Sequence, residues 1–160
     1  MIERELIAKI KDKKAKIGIV GMGYVGVPLG IEFAERGLEV VGFDTDAEKI
    51  KNINSGKQIM KHISSKKMTK FVKNGCKATS DFEELKHTDC ILMCVPTPRD
   101  IYEQPDMSYV ESATKTISKN LRKGQLVILE STTYPGTTKE VIKPILEDSG
   151  LVAGKDFFLA

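Results

Sequence analysis

A chain of 160 residues, 41% hydrophobic and 29% charged, suits one globular domain that buries a substantial core without disulfides or metal. A net charge of +3 is too small to argue for a nucleic-acid partner, no apolar run is long enough to span a bilayer, and the opening MIERELIAKIKDKKAK carries charges where a signal peptide needs an apolar block, so a soluble, cytoplasmic protein is expected. Cys76, Cys90 and Cys94 follow no zinc spacing and read as buried thiols of a reducing compartment.

In residues 1–15, Ile2, Leu6, Ile7 and Ile10 recur at near-helical spacing and predict an extra helix docked on a domain that runs over residues 16–160. The run Lys16–Val20 predicts a strand feeding a helix over Val25–Arg36, in which Pro28 falls early, where a missing N–H costs little. Glu39–Phe43 predicts a second strand, followed by a helix opened by the capping-box pattern Thr45-Asp46-Ala47-Glu48. Between Glu48 and Asp81 stand nine lysines, Lys49 to Lys77, and no acid; they read as the solvated face of a helix or as a surface for an anionic ligand or partner. Ser80-Asp81-Phe82-Glu83 repeats the start signal for a short helix before a strand Cys90–Val95, and a helix near Ser108–Leu121 leads to a strand Leu126–Leu129. Pro135-Gly136 marks a turn, and Thr137-Thr138-Lys139-Glu140 caps a helix that Pro144 should kink or shorten. Phe157–Leu159 reads as a last buried strand, which closes a six-stranded sheet, or lies at a domain edge of a longer protein, or both.

Apolar runs alternating with helices are the sequence form of βαβ units, whose parallel strands are covered on both faces. Within the first unit stands GIVGMGYVG: Gly21-x-Gly23-x-x-Gly26 follows a strand and opens a helix, and the acidic Asp44 ends the second strand. Gly21 permits a tight turn, Gly23 lets a diphosphate approach backbone N–H groups, and Gly26 lets helix and strand pack closely, while the helix N-terminus supplies free donors and partial positive charge. The fold expected is α/β, a Rossmann-type doubly wound parallel sheet in three αβα layers with strand order 3-2-1-4-5-6. Asp44 can accept both ribose hydroxyls of NAD, whereas a 2′-phosphate would meet a like charge, so NAD is favoured over NADP; a simple helix cap is the other role open to it. Lys49, one helical turn on, is within reach of the adenosine ribose. Two loops should join the site at the carboxyl ends of strands: Val95-Pro96-Thr97-Pro98, where Thr97 positions a ribose or nicotinamide or serves ordinary turn chemistry, and Ser131–Gly136, where Thr132 faces the nicotinamide.

The segments KIGIVGMGYVGVPLGIEFAERGLEVVGFDTD, CVPTP with PDMSYV, and LVILESTTYPGTT resemble the NAD-binding domain of the UDP-glucose/GDP-mannose dehydrogenase family, and the likeness covers nearly all the chain after Lys16. ESTTYPGTT and His62-Ile63-Ser64 look most like the UDP-N-acetylhexosamine 6-dehydrogenases, although Lys61 stands where relatives often carry proline. The resemblance implies oxidation of the C6 hydroxyl of a UDP-sugar to a carboxylate with two NAD, through a thioester on a cysteine, in a homo-oligomeric parent protein. It also implies that Gly21, Gly23, Tyr24, Val25 and Gly26 meet the pyrophosphate and adenosine, Asp44 and Lys49 the adenine ribose, Val95 and Thr97 the nicotinamide side, and Thr132 the neighbourhood of the catalytic water. The family's catalytic lysine, asparagine and cysteine fall in segments beyond these residues, so the chain by itself is expected to bind NAD without turnover. Two other assignments stand beside this one: a regulatory NAD(H)-sensing Rossmann module, which leaves the serine-threonine loop unexplained, and a hydroxyacid dehydrogenase of the 6-phosphogluconate type.

Overall fold

The computed structural model describes residues 2–99 and 105–160. In chain order it contains α1 (Ile2–Lys11), β1 (Lys16–Val20), α2 (Gly26–Glu35), β2 (Glu39–Phe43), α3 (Ala47–Asn54), α4 (Ser65–Lys73), β3 (Lys77–Thr79), a 3-10 turn (Phe82–His87), β4 (Cys90–Met93), α5 (Ser108–Asn120), β5 (Leu126–Leu129), a π turn (Thr138–Ile142) running into α6 (Lys143–Glu147), and β6 (Phe158–Leu159). The six strands form one sheet in the order β3-β2-β1-β4-β5-β6, every pair parallel.

Strand alternation explains why the runs are apolar throughout. Ile17, Ile19, Val40, Cys90 and Leu92 face a core shared with Val27 and Ile31 of α2 and Met68 and Phe71 of α4. Their neighbours Val41, Phe43, Ile91, Met93 and Val127 face a second core, against Val110 and Ile117 of α5 and Leu146 of α6. Each fully buried aliphatic side chain contributes about 1.5–3 kcal/mol, so both faces must be apolar to hold both helical layers. The chain winds one way from β1 to β3 and the other way from β4 to β6, which leaves a crevice between the carboxyl ends of β1 and β4.

Several local details differ from the sequence-based expectation. β3 lies in the lysine-rich stretch with only Ala78 buried, and its outer edge is covered by one side chain: Asn54 donates Nδ2–H to the Ala78 carbonyl at 2.9 Å and accepts the Ala78 N–H at 2.8 Å. Asp46, not Thr45, caps α3, its Oδ1 accepting the Lys49 N–H at 3.0 Å. Asp81, not Ser80, opens the next turn, accepting the Glu83 N–H at 3.0 Å. β4 ends at Met93; Cys94 still donates to the Val20 carbonyl at 2.8 Å before Val95-Pro96 leaves the sheet. Pro144 falls at the start of α6 and has no N–H to give the preceding turn, which widens into the π turn Thr138–Ile142. α1 docks through buried Leu6 and a Lys9–Asp89 ion pair of 2.7 Å, while Ile7 and Ile10 face outward.

All three cysteines are free and buried. Burial, then the Asp89 charge, pushes the Cys90 thiol up to about 11, and burial, then the Glu130 charge, pushes Cys94 up to about 12. No helix among the described residues is long and apolar enough to cross a membrane, and no three His, Cys, Asp or Glu side chains among them are grouped to hold a metal.

Candidate dinucleotide-binding site

A cavity of about 590 Å³ opens across the carboxyl ends of β1, β2, β4 and β5. Its floor is the glycine turn, and the three glycines have three separate reasons to be bare. Gly21 sits at φ +98, donates to the Phe43 carbonyl at 2.8 Å, and would put a Cβ 2.7 Å from the Cys94 carbonyl oxygen. A Cβ on Gly26 would drive into the Gly21 carbonyl oxygen, so this residue closes the helix onto the turn and does not itself line the cavity. Gly23 is different: a Cβ there meets no protein atom within 4 Å, and the space it would fill belongs to the cavity. Nothing among the described residues requires glycine at this position. Val25 stands at the N-cap of α2 with no side-chain hydrogen bond; in the first turn Val27 donates to the Gly23 carbonyl at 3.1 Å and Pro28 has no N–H, so the donors turned to an anion are the main-chain N–H groups of the turn at Gly23, Tyr24 and Val25. The hollow thus fits a diphosphate.

Asp44 flanks the turn at the tip of β2, 9% exposed. Its Oδ2 accepts the Met22 N–H at 2.9 Å and the Lys49 ammonium at 2.8 Å, and its Oδ1 accepts the Asp46 N–H at 3.0 Å. Burial alone would raise its pKa, but Lys49 and the Asp46 and Met22 amides outweigh burial and hold the carboxyl below the usual carboxylate range. Asp44 is therefore an anion inside the cavity, and α3 is capped by Asp46, not by Asp44. Three of its roughly four lone-pair positions are taken, and Lys49 reaches Asp44 itself.

On the other side, Val95 and Thr97 line the cavity after β4, and Thr132 lines it after β5. Ser131 joins the two loops, its hydroxyl donating to the Val95 carbonyl at 2.7 Å, which fixes where Thr132 begins. Tyr24 and Val25 are exposed at the mouth, and the Tyr24 ring stacks on His62 with centroids 6.3 Å apart and planes 19° apart.

The structure thus brings Gly21, Gly23, Tyr24, Val25, Asp44, Lys49, Val95, Thr97 and Thr132 to one cavity. It adds residues that sequence reasoning missed: Phe82, Glu130, and a stripe of α5 made by Tyr109, Ser112, Ala113 and Thr116. The stripe has a signal, since positions three and four apart share a helix face and three of these carry hydroxyls.

An all-parallel sheet in this order, with a bare turn at the tip of its first strand and an ionised aspartate at the tip of its second, defines a Rossmann dinucleotide-binding domain. The sequence profile of the UDP-glucose/GDP-mannose dehydrogenase family, NAD binding domain, matches residues 15–160. The chain belongs to that family, as its NAD-binding domain. It is 38% identical over 150 residues to the UDP-N-acetyl-D-mannosamine dehydrogenase of Pyrococcus horikoshii, covering 91% of this chain and 35% of the relative. It is 37% identical over 147 residues to the UDP-N-acetyl-D-glucosamine 6-dehydrogenase of Pseudomonas aeruginosa, covering 91% and 34%. Among solved structures, a ternary complex of the GDP-mannose dehydrogenase of Pseudomonas aeruginosa superposes with a TM-score of 0.85 at 33% identity, over 89% of this chain and 34% of that one. The chain thus spans about a third of the length of the relatives it matches. Membership displaces both the regulatory-module and the 6-phosphogluconate-type assignments.

Proposed function

We propose that this domain serves a nucleotide-sugar 6-dehydrogenase that oxidises the C6 hydroxyl of a UDP-N-acetylhexosamine to a carboxylate with two NAD, in a cytoplasmic, homo-oligomeric protein. The names of the relatives support the substrate class. The observation that carries the local reading is the Gly23 hollow, which no atom of the described residues fills, beside the ionised Asp44. NAD, when bound, supplies the hydride acceptor. The chain's own residues then divide the work. The main chain at Gly23, Tyr24 and Val25 holds the diphosphate, with Gly21 and Gly26 fixing the turn beneath it. Asp44 takes a ribose hydroxyl on its open lone pair and a second when Lys49 swings aside, the ammonium remaining close enough to donate to the same ribose. Thr97 and Thr132 orient the nicotinamide end, and Thr132 holds water there. None of the three thiols acts as nucleophile, because burial keeps Cys90 and Cys94 protonated and Cys76 is likewise raised by burial.

Calorimetry tests the cofactor site. The chain should bind NAD, and Asp44→Ala should weaken binding at least tenfold, the loss of one or two hydrogen bonds to a charged group at ~1.5–3 kcal/mol each. Unchanged affinity sinks the site as drawn. Reduction of NAD by the chain in the presence of UDP-N-acetylglucosamine or UDP-N-acetylmannosamine would refute the division of labour.

A further inference from the structure

The charge of the cavity is unevenly disposed. Of its charged lining residues, Asp44 and Lys49 hold each other at 2.8 Å, and Asp46 is engaged by the Lys49 N–H at 3.0 Å. Glu130 is the remaining one, and it takes part in none of the ion pairs among the described residues. Register places it: Met93 stands opposite Leu129, so Glu130 follows beside Cys94 at the adjoining tips of β4 and β5, its N–H donating to the Met93 carbonyl at 3.0 Å. Alternation along β5 gives Glu130 the same side of the sheet as Leu126 and Ile128, which pack on the core that contains Cys90, Leu92 and Cys94. Its charge is felt at the Cys94 thiol, which burial and then Glu130 push up.

This arrangement bears on the cofactor, given the assignment of the cavity to NAD. With the diphosphate on the β1 turn and the adenine ribose on Asp44 at the tip of β2, the second nucleoside is directed the opposite way, over β4 and β5. β5 lies two strand spacings, about 10 Å, from β1, which a ribose and its ring can bridge. The oxidised nicotinamide ring is a cation and the reduced ring is neutral. We propose that Glu130 sets the redox preference of the site: its carboxylate, in no ion pair among the described residues, attracts the cationic ring of NAD and does nothing for the neutral ring of NADH, so the domain holds the oxidised cofactor in preference and releases the reduced one. Thr132 and Thr97 cannot make this distinction, since their hydroxyls carry no charge. A carboxylate needed only for solubility would be indifferent to which cofactor is bound.

The test is calorimetric titration of the chain with NAD and, separately, with NADH. Glu130→Gln, which keeps the shape and removes the charge, should weaken NAD about fivefold, the size of one charge–charge interaction across a partly hydrated cavity, and leave NADH unchanged. Glu130→Asp should retain most of the preference, and the preference of the unsubstituted chain should shrink as ionic strength rises above ~0.1 M. Glu130 is exposed, so the substitutions leave the fold intact. An equal loss for both cofactors, or a NAD-to-NADH ratio that Glu130→Gln does not move, overturns the proposal while leaving the cavity a cofactor site. Failure of the unsubstituted chain to bind either cofactor overturns the site itself.

Discussion

Two buried aspartates stand at opposite ends of the same sheet, and their surroundings begin alike. Asp44 follows β2 at the carboxyl edge; Asp89 precedes β4 at the amino edge. Each accepts main-chain N–H and a lysine ammonium, and in each these bonds outweigh burial and hold the carboxyl below its ordinary range. They differ in what is left over. Asp89 takes Lys9 at 2.7 Å and Arg122 at 3.0 Å on Oδ1, and the Lys16 N–H at 3.0 Å on Oδ2. These donors come from α1, from β1 and from the turn before β5, so the carboxylate is enclosed by the segments it ties together. The donors to Asp44 come from the β1 turn and the first residues after β2, and its remaining side opens into the cavity. Burial and a depressed pKa therefore do not separate a structural carboxylate from a functional one; an unfilled lone pair facing open space does.

Substituting each aspartate should split stability from binding. Asp89→Ala leaves Lys9 and the Lys16 N–H without this acceptor, and Arg122 with only the Thr88, Lys86 and Lys123 carbonyls. Breaking a fully buried pair costs about 3–5 kcal/mol, and because Lys9 and Arg122 reach solvent the expected loss is about 2–3 kcal/mol, read by urea unfolding. NAD affinity should stay within about twofold of the unsubstituted chain, since Asp89 is remote from the cavity. Asp44→Ala should show the reverse, about 1 kcal/mol in stability and at least tenfold in NAD affinity. A folded Asp89→Ala that loses NAD as severely as Asp44→Ala would abolish the distinction.

Acid sharpens it further. Both carboxyls sit below 3.8 in the folded protein, so the unfolded chain takes up these protons first. Their contribution to stability is complete above the unfolded value and is lost as pH falls through the folded values, that is, from near 3.8 downward. Urea midpoints measured across that window should fall less steeply in Asp89→Asn than in the unsubstituted chain. NAD affinity should fall through the same window in the unsubstituted chain and in Asp89→Asn, and should fall less steeply in Asp44→Asn.

The two ends also differ in how much of them the sequence displays. The glycine turn and Asp44 are legible because their spacing is local: strand, turn, helix and acid occupy one stretch of chain. β1, β2, β4 and β5 are legible because strands covered on both faces must be apolar throughout. The Asp89 hub is not, since its Lys9 and Arg122 partners lie 80 and 33 residues away and nothing near Asp89 announces them. β3 escapes for a related reason: three residues at a sheet edge with one buried alanine have no pattern, and the Asn54 side chain that secures them lies 24 residues earlier. The caps at Asp46 and Asp81 each lie one residue later than the pattern suggests, because an aspartate follows the threonine or serine and takes the role itself. Glu130 sits at the end of an otherwise apolar run, where only knowledge of the β4–β5 register brings it beside Cys94.

The smallest expected effects come from the lysines that pair with the two aspartates, and they are the finest probe of the difference. Lys9 is half exposed, and its loss leaves Asp89 with Arg122 and the Lys16 N–H, so Lys9→Ala should cost under about 1 kcal/mol and leave NAD binding alone. Lys49→Ala should cost a similar amount, because the Met22 and Asp46 N–H bonds still hold Asp44 in place. Its consequence for binding is different. Removing Lys49 frees a lone pair for the ribose and deprives it of a donor, two changes that oppose each other and should keep NAD affinity within about threefold. For NADP the changes act together: the cation paired with Asp44 among the described residues is gone, and the 2′-phosphate meets a carboxylate without it. Competition titrations should therefore show the NADP-to-NAD affinity ratio falling about threefold or more in Lys49→Ala, with no change in Lys9→Ala. A ratio unmoved by loss of Lys49 would mean that its ammonium, like that of Lys9, serves only to settle a buried charge.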